Sequence, residues 1–119
     1  YKGLILKSII YEKPTTWIIE QIKLFAPKRK VQIIEFASGN GRNSIHLAAK
    51  NRNITAVDID SNKLFQYNNF EYINTICFDL ETSQSWPLKE NYYDIIIIVN
   101  YLYRPQIKKI MNLLKNGGR

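Results

Sequence analysis

The sequence predicts an α/β domain, a three-layer αβα sandwich built on a parallel sheet. Four runs of strand length recur, at residues 31–36, 53–58, 72–78 and 93–99, and segments of helical spacing alternate with them. The first and last of these runs are apolar almost throughout, as in strands buried on both faces by flanking helices. Internal repeats, low-complexity tracts and Pro/Gly-rich linkers are absent.

Each element has its own signal. Thr15 or Thr16 caps a first helix after Pro14, Ile18, Ile22 and Phe25 form its apolar stripe, and Pro27 ends it. Val31 to Phe36 is the first strand, with one acid, Glu35, near its end. Asn43 to Lys50 follows as a short helix with Ile45, Ala48 and Ala49 on or near its apolar face. Asn53 to Asp58 is the second strand, Ser61 opens a second short helix through about Asn68, and Tyr72 to Phe78 is the third strand. Thr82 to Asn91 is a polar loop containing Trp86-Pro87, and Tyr93 to Val99 is the fourth strand. Pro105 to Leu114 is helical, with Ile107, Ile110, Met111 and Leu114 in register and Gly117 just past its end. The chain begins at Tyr1 and stops at Gly117-Gly-Arg119, directly after a helix pattern, where another strand is expected. The expected sheet is therefore truncated after the fourth strand.

Bulk composition narrows the class. The chain has 119 residues, 45% of them hydrophobic, which suits one domain with a real core. No apolar run approaches the roughly 20 residues a membrane span requires, and Gly3-Leu-Ile-Leu is too short for a signal peptide before it meets Lys7. Cys77 is the only cysteine, which excludes an internal disulfide and fits a reduced, cytoplasmic setting. It is expected to be buried within its strand. The net charge of +7 could attract nucleic acid, but only Lys28-Arg29-Lys30 forms a basic cluster. A solvated, lysine-rich surface is the plainer reading.

In parallel α/β sheets ligands bind beyond the carboxyl ends of the strands, so the residues there carry the function. The first strand runs into Glu35-Phe-Ala-Ser-Gly-Asn-Gly41. Gly39 and Gly41 permit close approach of backbone to a ligand. The helix starting near Arg42 presents free N–H groups that suit a ligand carboxylate, with Arg42 as reinforcement. Glu35 would repel a pyrophosphate and attract an ammonium group. Asp58 ends the second strand, 17 residues after Gly41, near the position from which such folds bind ribose hydroxyls. Asp79 ends the third strand as a plausible partner for an adenine amino group, with Leu80 as an apolar wall. Asn100-Tyr-Leu-Tyr-Arg-Pro105 follows the fourth.

These residues together resemble the class I S-adenosylmethionine-dependent methyltransferases, which have a Rossmann-like fold. Glu35-Phe-Ala-Ser-Gly-Asn-Gly41 resembles their first motif, with Ala37 in place of the usual first glycine, and Ala56-Val-Asp-Ile-Asp60 resembles the second. The likeness continues through Phe78-Asp-Leu-Glu81, Trp86-Pro-Leu88, Tyr93-Asp94 and Asn100 to Pro105, and closes with Leu114-Lys-Asn-Gly-Gly118, in which Asn116 replaces a proline. It covers the chain from about Val31 onward. Gly41-Arg-Asn-Ser44 is also similar to the tellurite-resistance methyltransferases, and the Asn-Tyr-Leu-x-Arg-Pro segment resembles a bacterial group whose substrate is unassigned.

The resemblance implies S-adenosyl-L-methionine as cofactor and methyl transfer to an unidentified acceptor. It implies that Glu35 orients the methionine end, that Ala37, Gly39 and Gly41 form the turn admitting it, and that Asp58 binds the ribose. It also implies that Ile59 packs on the adenine, that Asp79 and Leu80 contact that ring, and that Asn100 and Tyr101 lie beside the methyl group. Residues 1–119 are then the N-terminal, cofactor-binding part of a methyltransferase domain. A small-molecule acceptor is expected, with nucleic acid open on charge. The spacing of Asn100 and Tyr103 matches the outer residues of an Asn-Pro-Pro-Tyr motif, but the prolines are missing. No catalytic residue and no metal are assigned, and His46, the only histidine, reads as an ordinary helix residue. Trp17 and Trp86 read as packing residues. Two other readings stand beside this one: an NAD(P)-binding oxidoreductase, since Ser44 is small enough for the dinucleotide fingerprint, and a non-catalytic cofactor-binding or interaction domain.

Overall fold

The computed structural model describes residues 4–8, 20, 30–67, 69–82, 84–99 and 104–115. Its elements in chain order are β1 (Leu4–Ser8), β2 (Val31–Phe36), α1 (Arg42–Leu47), β3 (Arg52–Asp58), α2 (Ser61–Phe65), β4 (Ile73–Cys77), β5 (Ile95–Val99), a 3₁₀ turn (Arg104–Gln106) and α3 (Ile107–Met111). Apart from Glu20, which is helical and exposed, the expected helix over 14–27, with Trp17, Lys28 and Arg29, lies outside the described residues, as do Asn100 to Tyr103 and Gly117-Gly118. Among the described residues no helix is long and apolar enough to cross a membrane.

The strands form one sheet in the order β1-β5-β2-β3-β4, and every pairing is parallel. The four expected strands are present. A fifth was not expected: β1 pairs along the whole of β5, from Leu4 opposite Ile95 to Ser8 opposite Val99. Five residues containing a lysine and a serine carry little strand signal alone; β1 forms because the β5 edge offers unpaired backbone groups.

Two apolar clusters cover the sheet. On one face Ile34, Phe36, Val57, Ile96 and Ile98 meet Ile110, Leu113 and Leu114 at and beyond α3, joined by Leu80 and Tyr93. On the other, Ala56 and Ile73 meet Leu64 and Tyr67 at and beyond α2. Strand residues of alternate parity feed opposite faces, so the three layers follow from the apolar runs. In β5, Ile95, Ile96, Ile97 and Ile98 are all buried. Trp86 fills the first cluster as a packing residue, its ring 5.9 Å from Phe36 and 5.8 Å from Phe78.

Three local expectations are corrected. In α1 the buried side chains are Asn43, Ser44 and Leu47, while Ile45 is exposed. The helix is rotated to serve a buried acid, and it ends at Leu47 because Ala48 is extended. In α3 Ile107 is exposed and Leu113 takes a core position, since the helix is a single α-turn that hands over after Met111. Cys77 is exposed: it is the last residue of an edge strand, and its thiol reaches the Ile59 carbonyl at 3.4 Å.

Candidate functional site

The carboxyl ends of β2, β3 and β4 converge on the segment Ala37–Gly41. Its backbone is unusual: Ala37, Gly39 and Gly41 all have left-handed φ, at 52°, 58° and 78°. Glycine adopts this region without steric cost, whereas alanine does not. Ala37 therefore holds a conformation that a glycine would occupy more easily. The turn is anchored to the sheet where the Ser38 N–H donates to the Val57 carbonyl at 3.0 Å, and it closes where the Gly41 N–H donates to the Ser38 carbonyl at 3.0 Å.

Glu35 is buried at 3% exposure. Its carboxylate accepts from the Asn43 amide at 3.0 Å and from the Ser44 hydroxyl at 2.7 Å. A buried carboxylate is tolerated only with such donors, which explains why α1 turns two polar side chains inward. Glu35 thus joins the end of β2 to the first turn of α1.

Asp58 performs the equivalent task one strand over. One carboxylate oxygen accepts from the Gly39 N–H at 2.8 Å, the other from the Asp60 N–H at 2.9 Å. Each oxygen has a further lone pair, so the acid can hold the glycine turn and still accept from ligand hydroxyls. Asp60 then caps α2 through the Asn62 and Lys63 N–H groups.

A cavity of about 160 Å³ opens beside Asp58, lined by Ala37, Asp58, Ile59, Phe78, Asp79, Leu80 and Glu81. Five of the residues singled out in the sequence thus meet at one hollow. Ile59 is 66% exposed there, an apolar side chain offered to solvent or to a flat ligand. The Asp79 carboxylate accepts from the Glu81 N–H at 2.9 Å, which shapes the far wall. Gly39, Gly41 and Glu35 adjoin this hollow through the turn rather than lining it. The side chain of Arg42, and Asn100 and Tyr101 altogether, lie outside the described residues.

Residues 33–118 match the methyltransferase domain family. The chain belongs to that family. No curated protein matches the sequence. Among solved structures, the methyltransferase domain is similar to a protein of Methanococcus maripaludis provisionally assigned as an S-adenosyl-L-methionine-dependent methyltransferase. The TM-score is 0.67 at 24% identity, over 85% of this chain and 51% of that one. It is similar to a TehB-like SAM-dependent methyltransferase of Corynebacterium glutamicum, with TM-score 0.54 and 21% identity over 67% of this chain and 42% of that one. The [4+2]-cyclase SpnF is also similar, with TM-score 0.68 and 17% identity over 86% and 42% of the two chains. The chain thus spans about half the length, or less, of these structures, and at such identities the likeness is one of fold.

Sequence reading of the methyltransferase domain missed three residues at the turn. Asn43 and Ser44 bind Glu35, and a polar pair at the start of a helix, eight and nine residues after a buried acid, is a signal that could have found them. The third is Tyr67, 1% exposed. Its phenol lies 2.6 Å from the Ser38 hydroxyl and donates to the Gly39 carbonyl at 3.2 Å. Burial pushes this phenol up to about 12; the Ser38 hydrogen bond opposes the rise, and the charges of Glu35 and Asp58 add to it. No local pattern announces such a residue.

Proposed function

We propose that this chain forms the donor-binding half of a class I methyltransferase and that it binds S-adenosyl-L-methionine along the carboxyl ends of β2, β3 and β4. The observation that carries the reading is the meeting of Ala37, Asp58, Ile59, Asp79 and Leu80 at one hollow, joined through the Asp58–Gly39 hydrogen bond to the glycine turn. An acid at ribose height, an apolar residue beside it and a second acid beyond fit an adenosine. Glu35 behind the turn favours a ligand bearing an ammonium group over one bearing a pyrophosphate. Membership of the methyltransferase domain family supports the same ligand.

Bound there, the donor supplies an electrophilic methyl on a sulfonium, and its leaving group is a neutral thioether that needs no acid. The protein's part is alignment, worth roughly 7–11 kcal/mol when well executed. Asp58 and Asp79 would hold the nucleoside, and the Ala37–Gly41 turn the methionine end. Asn100 and Tyr101 are assigned next to the methyl group on sequence alone. The acceptor we assign to the small molecules, with nucleic acid, on the net charge of +7, as the second class. A single cysteine without a disulfide partner fits the cytoplasm.

Titration calorimetry with S-adenosylhomocysteine and, separately, with NAD tests the reading. Binding of S-adenosylhomocysteine alone, weakened at least tenfold by Asp58→Ala, is expected. Binding of NAD alone would replace this reading with the oxidoreductase one.

A further inference from the structure

We infer that Tyr67 is a positioning residue of the donor site, holding the Ser38–Gly41 turn in its ligand-receiving shape; the inference rests on the donor reading above. Tyr67 follows α2 and belongs to the apolar cluster with Ala56, Leu64 and Ile73. A residue needed only to fill that cluster would have no use for a hydroxyl, whose burial is costly unless it is bonded. Both of its hydrogen bonds go to the turn. A neutral phenol has one proton. As Tyr67 donates to the Gly39 carbonyl, the Ser38 hydroxyl must donate to Tyr67, so a short relay runs from Ser38 through Tyr67 to Gly39.

Gly39 is consequently gripped through the peptide units on either side of it, its N–H by Asp58 and its carbonyl by Tyr67. The ring itself lies under Gly41, where an added Cβ would come within 2.7–2.9 Å of three ring atoms. Gly41 is thus required twice, for its φ of 78° and for the space the ring occupies. The two glycines of the turn hold left-handed φ without steric cost but are the residues with most conformational freedom to lose, so the turn gains its fixed shape from bonds to its surroundings. Tyr67 supplies the outside support from 26 to 29 positions along the chain, and it couples that support to Asp58, the acid that would bind the ribose.

The test compares Tyr67→Phe, which keeps the ring, with Ile73→Val, which loosens the same cluster without touching the turn. Two readouts are taken on the full-length protein: S-adenosylhomocysteine affinity, and amide hydrogen exchange at Gly39 and Gly41 without ligand. Tyr67→Phe is expected to weaken binding about tenfold and to speed exchange at both amides at least tenfold. Ile73→Val should leave both within twofold of the parent protein. Unchanged exchange in Tyr67→Phe overturns the inference, as does an equal effect of Ile73→Val. If the parent protein does not bind S-adenosylhomocysteine, the donor reading fails, and the exchange arm still decides whether Tyr67 holds the turn.

Discussion

The two ends of the sheet differ in a way that separates a candidate site from a mere hollow. The larger cavity, about 430 Å³, lies towards the amino ends of β2 and β3, lined by Gln32, Asn53, Thr55 and Asn74 of the sheet and by Lys89 and Tyr92. The smaller, about 160 Å³, lies at the carboxyl ends. Size favours the first and chemistry the second. The amino-end hollow is lined by amides, a threonine, phenols, one lysine and apolar side chains such as Ile54, Ile73 and Leu88, whereas the carboxyl-end hollow has Asp58, Asp79 and Glu81 beside the left-handed turn. Tyr72, in the amino-end lining, is also left-handed at 67°, but its carbonyl accepts the Ile54 N–H at 2.9 Å, so sheet pairing accounts for it.

Each end also carries a buried acid, Glu35 within β2 and Asp94 beside its start, and the two are used differently. Glu35 organises side chains of the following helix. Asp94 is a structural clamp: it accepts from the Gln32 N–H at 2.8 Å, its own N–H donates to the Gln32 carbonyl at 2.8 Å, and Lys115 pairs with it at 3.2 Å. One acid fixes the helix that follows the glycine turn; the other fixes where strands start. A buried acid alone therefore does not mark a site.

The contrast can be broken most sharply at Gly41. Gly41→Ala adds a strained φ and a clash with Tyr67 and should cost roughly 3 kcal/mol in urea unfolding. Asn74→Ala, in the amino-end hollow, should stay within about 0.5 kcal/mol. Equal losses would erase the distinction between the two ends.

Next in size, Glu35→Ala leaves the Asn43 amide and Ser44 hydroxyl buried without this acceptor and should cost about 2–3 kcal/mol. Adding Asn43→Ala and Ser44→Ala should recover part of that loss. Lys115→Met at the other end should cost about 1 kcal/mol or less, and less again in high salt, because Lys115 is 43% exposed.

A smaller effect is expected in alkali. Tyr67 titrates at about 12 when folded, against 10.0 for a free phenol. The folded state therefore keeps a proton that the unfolded state releases, and stability falls as pH rises through 10 towards 12. The Tyr67 part of that loss should be on the order of 1 kcal/mol. Tyr67→Phe should flatten the decline seen in melts between pH 9 and 12 without abolishing it, because burial also raises Tyr93.

The smallest effect has the opposite sign. Ala37→Gly relieves a left-handed alanine and should raise stability by about 0.5–1 kcal/mol, read from the same urea curves. A loss instead would mean that the methyl group of Ala37 packs usefully at the turn.

Much of this was legible in the linear sequence, for identifiable reasons. The four strands announced themselves because their residue types suit buried sheet, and Glu35, Asp58 and Asp79 could be placed at one edge because parallel strands share a direction. The glycine turn was legible because only a few residue types accept its dihedrals. The apolar face of α1 was misread because a helical pattern counts apolar residues and does not weigh the demand of a buried carboxylate for donors. Cys77 was expected inside because nothing in its own strand says that β4 is an edge.

By itself the sequence determined the alternation of strands and helices, the position of the turn and the height of the acids, all of which follow from preferences of residues within a few positions of one another. The tertiary structure decided the rest. It placed β1 beside β5 more than 90 residues away, turned Asn43 and Ser44 towards Glu35, and set Tyr67 beneath Gly41. Each of these depends on burial, on unpaired backbone, or on the volume left by a missing Cβ. Those quantities come into existence only when distant segments meet.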